Sequence, residues 1–160
     1  MNTLYIDKDG ILSDNDFTVT DDDGEDVFRV VICNSGKEII VTLYNMSGET
    51  VSVIRSKSSP ASPKYNIFFG ESLYGVVSSR LSLFAPDVRI EGVNGSFTLN
   101  GDCGSSSYTL YNNKNVFGKL EKKWFDSGAA FRLSVTNDED TAFFVAIVVS
   151  VDRCLKRRIL

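Results

Sequence analysis

Near its carboxyl end the chain carries Thr141-Ala-Phe-Phe-Val-Ala-Ile-Val-Val-Ser-Val, eleven residues of almost unbroken apolar character. Asn137, Asp138, Glu139 and Asp140 precede the run, and Asp152 and Arg153 follow it. β-branched residues alone would favour a strand, but the length and the flanks favour a helix. A capping side chain and acidic charge suit a helix N-terminus, and Lys156, Arg157 and Arg158 suit the opposite end. A helix that is apolar all round has to be enclosed on every side. At ~1.5 Å per residue the run spans about 16–17 Å, short of the roughly 30 Å of a bilayer core. It therefore reads as a buried core helix, and the rest of the chain has to supply its enclosure.

That remainder reads as short strands joined by turns. Phe17-Thr-Val-Thr alternates, Asp21-Asp22-Asp23-Gly24-Glu25-Asp26 turns, and Val27-Phe-Arg-Val-Val-Ile resumes, which is a hairpin pattern. Further pairs flank Asn45–Gly48, Gly70-Glu71, Asn94-Gly95 and Asn112–Lys114. Ten to twelve strands at this spacing predict a sandwich or barrel. A barrel of about twelve antiparallel strands is too wide for its own side chains to fill. The expected fold is thus an all-β barrel around a hydrophobic C-terminal helix, with residues 1–160 forming one domain.

An internal repeat supports this. A shift of 43 residues superposes Tyr65 on Tyr108, Ile67 on Leu110, Gly75 on Gly118, Val77 on Leu120, Arg80 on Lys123, Leu81 on Trp124 and Arg89 on Arg132. A repeated hairpin unit is expected. Strand parity then places Val77, Leu81, Leu120 and Trp124 inside the barrel, and Arg80 and Lys123 outside.

The chain has 160 residues, 42% of them apolar, and no histidine. Ser-His-Asp and Cys-His catalysis and His-ligated zinc are thereby excluded. Net charge is −4 but unevenly spread: residues 1–50 hold eleven acids against three bases, and the remainder ten against fourteen. That balance argues against generic nucleic-acid binding. Cys33, Cys103 and Cys154 form no CxxC and read as three buried thiols in a reducing compartment. Met1–Gly10 carries Asp7 and Asp9 and has no apolar core, so no signal peptide is read there. A cytoplasmic location is expected, at most peripheral to the inner face of a membrane.

Particular residues carry a family resemblance. They are Leu4-Tyr5-Ile6; Phe17-Thr-Val with its DG turn; Pro63-Lys64-Tyr65; Gly92; Lys122-Lys123-Trp124-Phe125 with Gly128; Phe131-Arg132-Leu133; Asp138-Glu139-Asp140; and the helix ending Val151-Asp152-Arg153-Cys154-Leu155. Together they resemble the LURP-one-related family of the Tubby C-terminal-like superfamily, prokaryotic members included. The resemblance implies a barrel around a central helix. It also implies kinship with tubby-like proteins, which bind phosphoinositide head groups through basic barrel residues, and with phospholipid scramblases.

Two basic sets are candidate sites. Arg80, Lys119, Lys122 and Lys123 form a candidate anionic head-group patch, against the plainer reading of a solvated strand face. Arg153, Lys156, Arg157 and Arg158 form a candidate membrane-surface tail, against simple complementation of the helix C-terminus. Arg89 and Arg132 read as ion-paired residues that close the barrel. The acidic run Asp21–Asp26 lacks EF-hand spacing and reads as turn chemistry. No nucleophile–base pair, metal cluster or cofactor cradle stands out. The expectation is a non-enzymatic binding or scaffold module for anionic phospholipid or a protein partner. A scramblase-like lipid translocator and a protein adaptor without lipid binding are the alternatives.

Overall fold

The computed structural model describes residues 2–7, 10–11, 16–57, 62–80, 87–102, 107–126 and 128–159, without the side chains of Arg80 and residues 156–159. The expectations for Leu81 and Cys103, and for the side chains of Arg80, Lys156, Arg157 and Arg158, lie outside the described residues.

Twelve strands follow one another: β1 (Asn2–Asp7), β2 (Phe17–Asp21), β3 (Asp26–Asn34), β4 (Glu38–Asn45), β5 (Thr50–Lys57), β6 (Lys64–Phe69), β7 (Ser72–Arg80), β8 (Asp87–Gly92), β9 (Gly95–Asp102), β10 (Ser107–Asn112), β11 (Asn115–Phe125) and β12 (Gly128–Val135). A 3-10 turn, Asp138–Asp140, leads into helix α1 (Thr141–Ile159). Each strand pairs antiparallel with its neighbour in sequence, and β1 pairs with β12 to close the barrel. The hairpin turns β2–β3, β4–β5, β6–β7, β8–β9 and β10–β11 share one mouth with the start of α1. The β3–β4 turn and the end of α1 lie at the opposite mouth.

Alternation sets the wall. Leu4 and Ile6, Val19, Val30, Val41 and Leu43, Ile54, Ile67, Val77, Leu110, Leu120 and Leu133 point inward and are buried. The helix is the expected plug: Phe143 through Val149, with Val151 and Cys154, are buried. It is longer than the apolar run, 19 residues rather than eleven. Ser150 is accommodated because its hydroxyl donates to the Ala146 carbonyl at 2.7 Å, as buried polar groups require. Among the described residues, no helix is long and apolar enough to cross a membrane. Asn137 begins the acidic turn without a side-chain cap bond; Thr141 instead donates its hydroxyl to the Asp138 carbonyl at 2.7 Å.

The 43-residue repeat is visible in space. Ile67 and Leu110 stand opposite Gly75 and Gly118, and a register shift follows each, at Ile67/Phe68 and Leu110/Tyr111. At the helix-start mouth the ring of Phe143 sits among Phe69, Tyr74, Phe97 and Phe117, with edge-on centroid separations of 5.3–6.1 Å.

Four expectations need correction. Trp124 is 74% exposed rather than inside. Its parity matches Leu120, but the core ends at the Lys122–Phe131 pair, and Trp124 stands beyond it opposite Ala129. Cys33 is exposed, on the outward parity of β3, while Cys154 is buried. Arg153 is only 6% exposed, because the helix continues past Asp152 and keeps this residue inside the wall. The β8–β9 turn also shifts by one residue: Val93 and Asn94 turn, and Gly95 pairs with Gly92.

Candidate functional site

The outer face where β11, β12 and β1 meet carries a charged network. Lys119, Glu121 and Lys123 share the outward parity of β11. Register places Arg132 of β12 opposite Glu121 and Tyr5 of β1 opposite Arg132. Arg132 Nη2 donates to Glu121 Oε1 at 3.1 Å. Lys119 Nζ lies 3.8 Å from the same oxygen, and Lys123 Nζ lies 3.4 Å from Glu121 Oε2. One carboxylate is therefore shared by three cations.

The electrostatics follow from this geometry. Partial burial pushes the Glu121 carboxyl up, but hydrogen bonds from Arg132 and Lys123 and the nearby lysine charges outweigh it and hold the group below its ordinary value. The bond to Glu121 raises the Arg132 guanidinium. Burial, then its bond to Asp22, raises the Tyr5 hydroxyl; Tyr5 donates to Asp22 Oδ1 at 3.0 Å. Asp22, with Asp7 at the end of β1, makes the β1 border acidic. The cationic side is the β11 side.

Lys122 is on the other face of β11. Its Nζ stands 4.7 Å from the centroid of the Trp124 ring, a cation–π distance. Phe125 is half exposed and meets the Tyr5 ring edge-on at 6.0 Å. The β11–β12 hairpin thus ends in two exposed aromatic side chains preceded by lysines and followed by Asp126.

Of the predicted head-group residues, the structure brings together Lys119 and Lys123 and sets Lys122 beside them across the strand. Arg80 is not with them. It ends β7, which is separated from β11 by β8, β9 and β10, about 19 Å along the wall at ~4.8 Å per strand. Repeat equivalence gives Arg80 and Lys123 matching positions in two hairpins, not adjacent ones. In the predicted tail, Arg153 belongs to the interior. Arg89 lies 3.9 Å from Asp87 of its own strand and is half exposed. Arg132 does sit at the closing seam, but its partner is Glu121. Sequence reasoning missed Arg132 as a member of the cationic cluster and Trp124–Phe125 as its exposed tip. The adjacent Lys-Lys-Trp-Phe run was the available signal. The acidic run behaves as turn chemistry, since Asp21 Oδ1 accepts from the backbone N–H groups of Asp23 and Glu25.

The sequence profile of the family described as LOR, LURP-one-related, matches residues 2–152. The chain belongs to the LURP-one-related family. It is similar to the "Uncharacterized protein YxjI" of Bacillus subtilis (strain 168), with 26% identity over 141 residues covering 87% of this chain and 85% of that protein. It is also similar to an Arabidopsis thaliana protein of known X-ray structure. There the TM-score is 0.62 at 17% identity, over 95% of this chain and 90% of the plant one. At that identity the likeness concerns the fold, so for this LURP-one-related protein the site rests on its own residues.

Proposed function

We propose that this protein is a non-enzymatic binding module that docks on anionic phospholipid surfaces through the β11–β12 hairpin. The observation that carries the reading is the exposure of Trp124, at 74%, at the end of a strand that also bears Lys119, Lys122 and Lys123. An exposed tryptophan is unfavourable in water and suited to the head-group layer, where its ring is half in apolar surroundings. Lysines beside it add about 1 kcal/mol each near an anionic membrane. With a net charge of −4, the molecule would have to approach through this cationic face. Lipid translocation by the helix is less favoured, because it would require a buried segment to leave the barrel that encloses it.

Trp124 is the chain's one tryptophan, so its fluorescence reports the hairpin tip directly. Adding phosphatidylglycerol-containing vesicles should shift its emission to shorter wavelength, while pure phosphatidylcholine should not. Co-sedimentation with the anionic vesicles should fall by about tenfold or more in Lys119→Glu/Lys123→Glu. It should remain in Arg55→Glu, a half-exposed position on β5, the opposite wall. An unshifted emission maximum and no co-sedimentation would overturn the proposal and favour a protein partner.

A further inference from the structure

At the helix-start mouth, away from the lysine-bearing hairpin, a cleft of about 300 Å³ opens between the β8–β9 and β10–β11 turns and the start of α1. Its apolar lining is mainly aromatic, Phe97, Phe117 and Phe143 with Tyr74 at the edge, and Val93 and Val116 complete it. Tyr74 is 43% exposed, so ring surface is left uncovered. Its polar lining is made of five amides, Asn94, Asn112, Asn113, Asn115 and Asn137, with one carboxylate, Asp140. Among the described residues, no lysine or arginine lines it.

That composition selects a ligand chemistry. Each amide both donates and accepts hydrogen bonds, which matches hydroxyl groups that do the same. Asp140, with Asp138 and Glu139 beside it, opposes an anion. Aromatic rings suit the C–H face of a ring-shaped ligand. The volume is at the small end of ligand sites, ~300–1,000 Å³. One polar atom already lacks a counterpart. Asn112 Oδ1 is shielded from solvent and has no hydrogen-bond partner among the described residues, a state that costs free energy and that turning the amide toward the cleft it lines would relieve. The Asn137 side chain is likewise not used to cap the turn it precedes.

We infer that this cleft binds a neutral polyhydroxylated small molecule, a monosaccharide in size. Hydroxyl groups of the ligand bond to Asn112, Asn115 and Asn137, and its apolar face rests on Tyr74 and Phe97. The inference stands independently of membrane docking, since the two sites share no residue.

The test is a ¹H–¹⁵N NMR titration with glucose, galactose, mannose and N-acetylglucosamine at millimolar concentration, and with glucose 6-phosphate as the anionic counterpart. At least one neutral sugar should perturb the side-chain amides of Asn112, Asn115 and Asn137 more than any signal of the lysine hairpin. Glucose 6-phosphate should bind more weakly than glucose. Asn112→Ala should weaken the response about tenfold, the cost of one well-made hydrogen bond. Asn137→Ala, at an exposed position, should weaken it with no effect on stability. The inference is overturned if no neutral sugar perturbs the cleft, if the phosphorylated sugar binds better, or if both alanine variants respond like the parent.

Discussion

A Cβ placed on Gly75 would lie 2.8 Å from Cζ of Phe143, and one on Gly118 would overlap the ring of Phe144. These glycines are equivalent in the 43-residue repeat, and each leaves room for one of two successive helix phenylalanines. The repeat was legible in the sequence; the purpose of its glycines was not, because nothing local links Gly118 to Phe144. Gly118→Ala should therefore destabilise by about 1–3 kcal/mol, as overpacking does, read from the denaturation midpoint. Adding Phe144→Leu should recover part of that loss, a coupling expected only between touching residues. Glu121 supports a prediction of sign. A carboxyl held below its ordinary value stabilises the folded state above the unfolded pKa, ~4.3, and that contribution is lost as pH falls through the lower folded value. Glu121→Gln should thus cost about 1 kcal/mol at neutral pH, and in urea titrations run across pH the gap should start to close below ~4.3 and vanish once the pH has fallen through the lower folded value. The same variant leaves three cations without their shared carboxylate. It should bind phosphatidylglycerol vesicles about fivefold more tightly, one unit of charge being worth ~1 kcal/mol there. Trp124 shows where residue-level parity fails: alternation tells the face of a strand but not where the core behind that face ends.

Helix α1 was legible as an element because no other environment suits its composition. Its end was legible too, since Lys156, Arg157 and Arg158 suit a helix C-terminus; the burial of Arg153 was not, because Asp152 and Arg153 close the apolar run. The residues beyond them, Cys154-Leu155-Lys156-Arg157-Arg158, are mostly good helix formers, so the helix runs on and carries Arg153 into the wall. Ile147, fully buried near the middle of α1, should cost about 2–5 kcal/mol when changed to Ala, measured by thermal or chemical unfolding. Among the strands, tight hairpins announced themselves through turn residues. The cationic cluster did not, since Arg132 reaches Glu121 only through the pairing of β11 with β12. The asparagine cleft was hidden for a related reason: Asn94, Asn112 and Asn115 read as ordinary turn residues of their own hairpins and Asn137 as a helix cap, and only the mouth of the barrel collects them.

The molecule closes through β1 and β12, whose six register pairs run from Asn2↔Val135 to Asp7↔Ala130. Closure removes sheet edges, and opening it would expose two. Removing residues 1–7 should therefore give a protein that associates through β2 and β12, detected as oligomers by light scattering. A milder disturbance of this seam should also slow folding, since its contacts join the most distant parts of the chain. The order of the elements carries a consequence for biosynthesis. The plug follows the twelfth strand, so a ribosome has to deliver everything through Val151 before the wall has anything greasy to wrap. Until then the nascent protein holds twelve hairpin-ready segments with their sticky sides unshielded, and its maturation must be completed late, in a single concerted collapse, or be guarded by a chaperone.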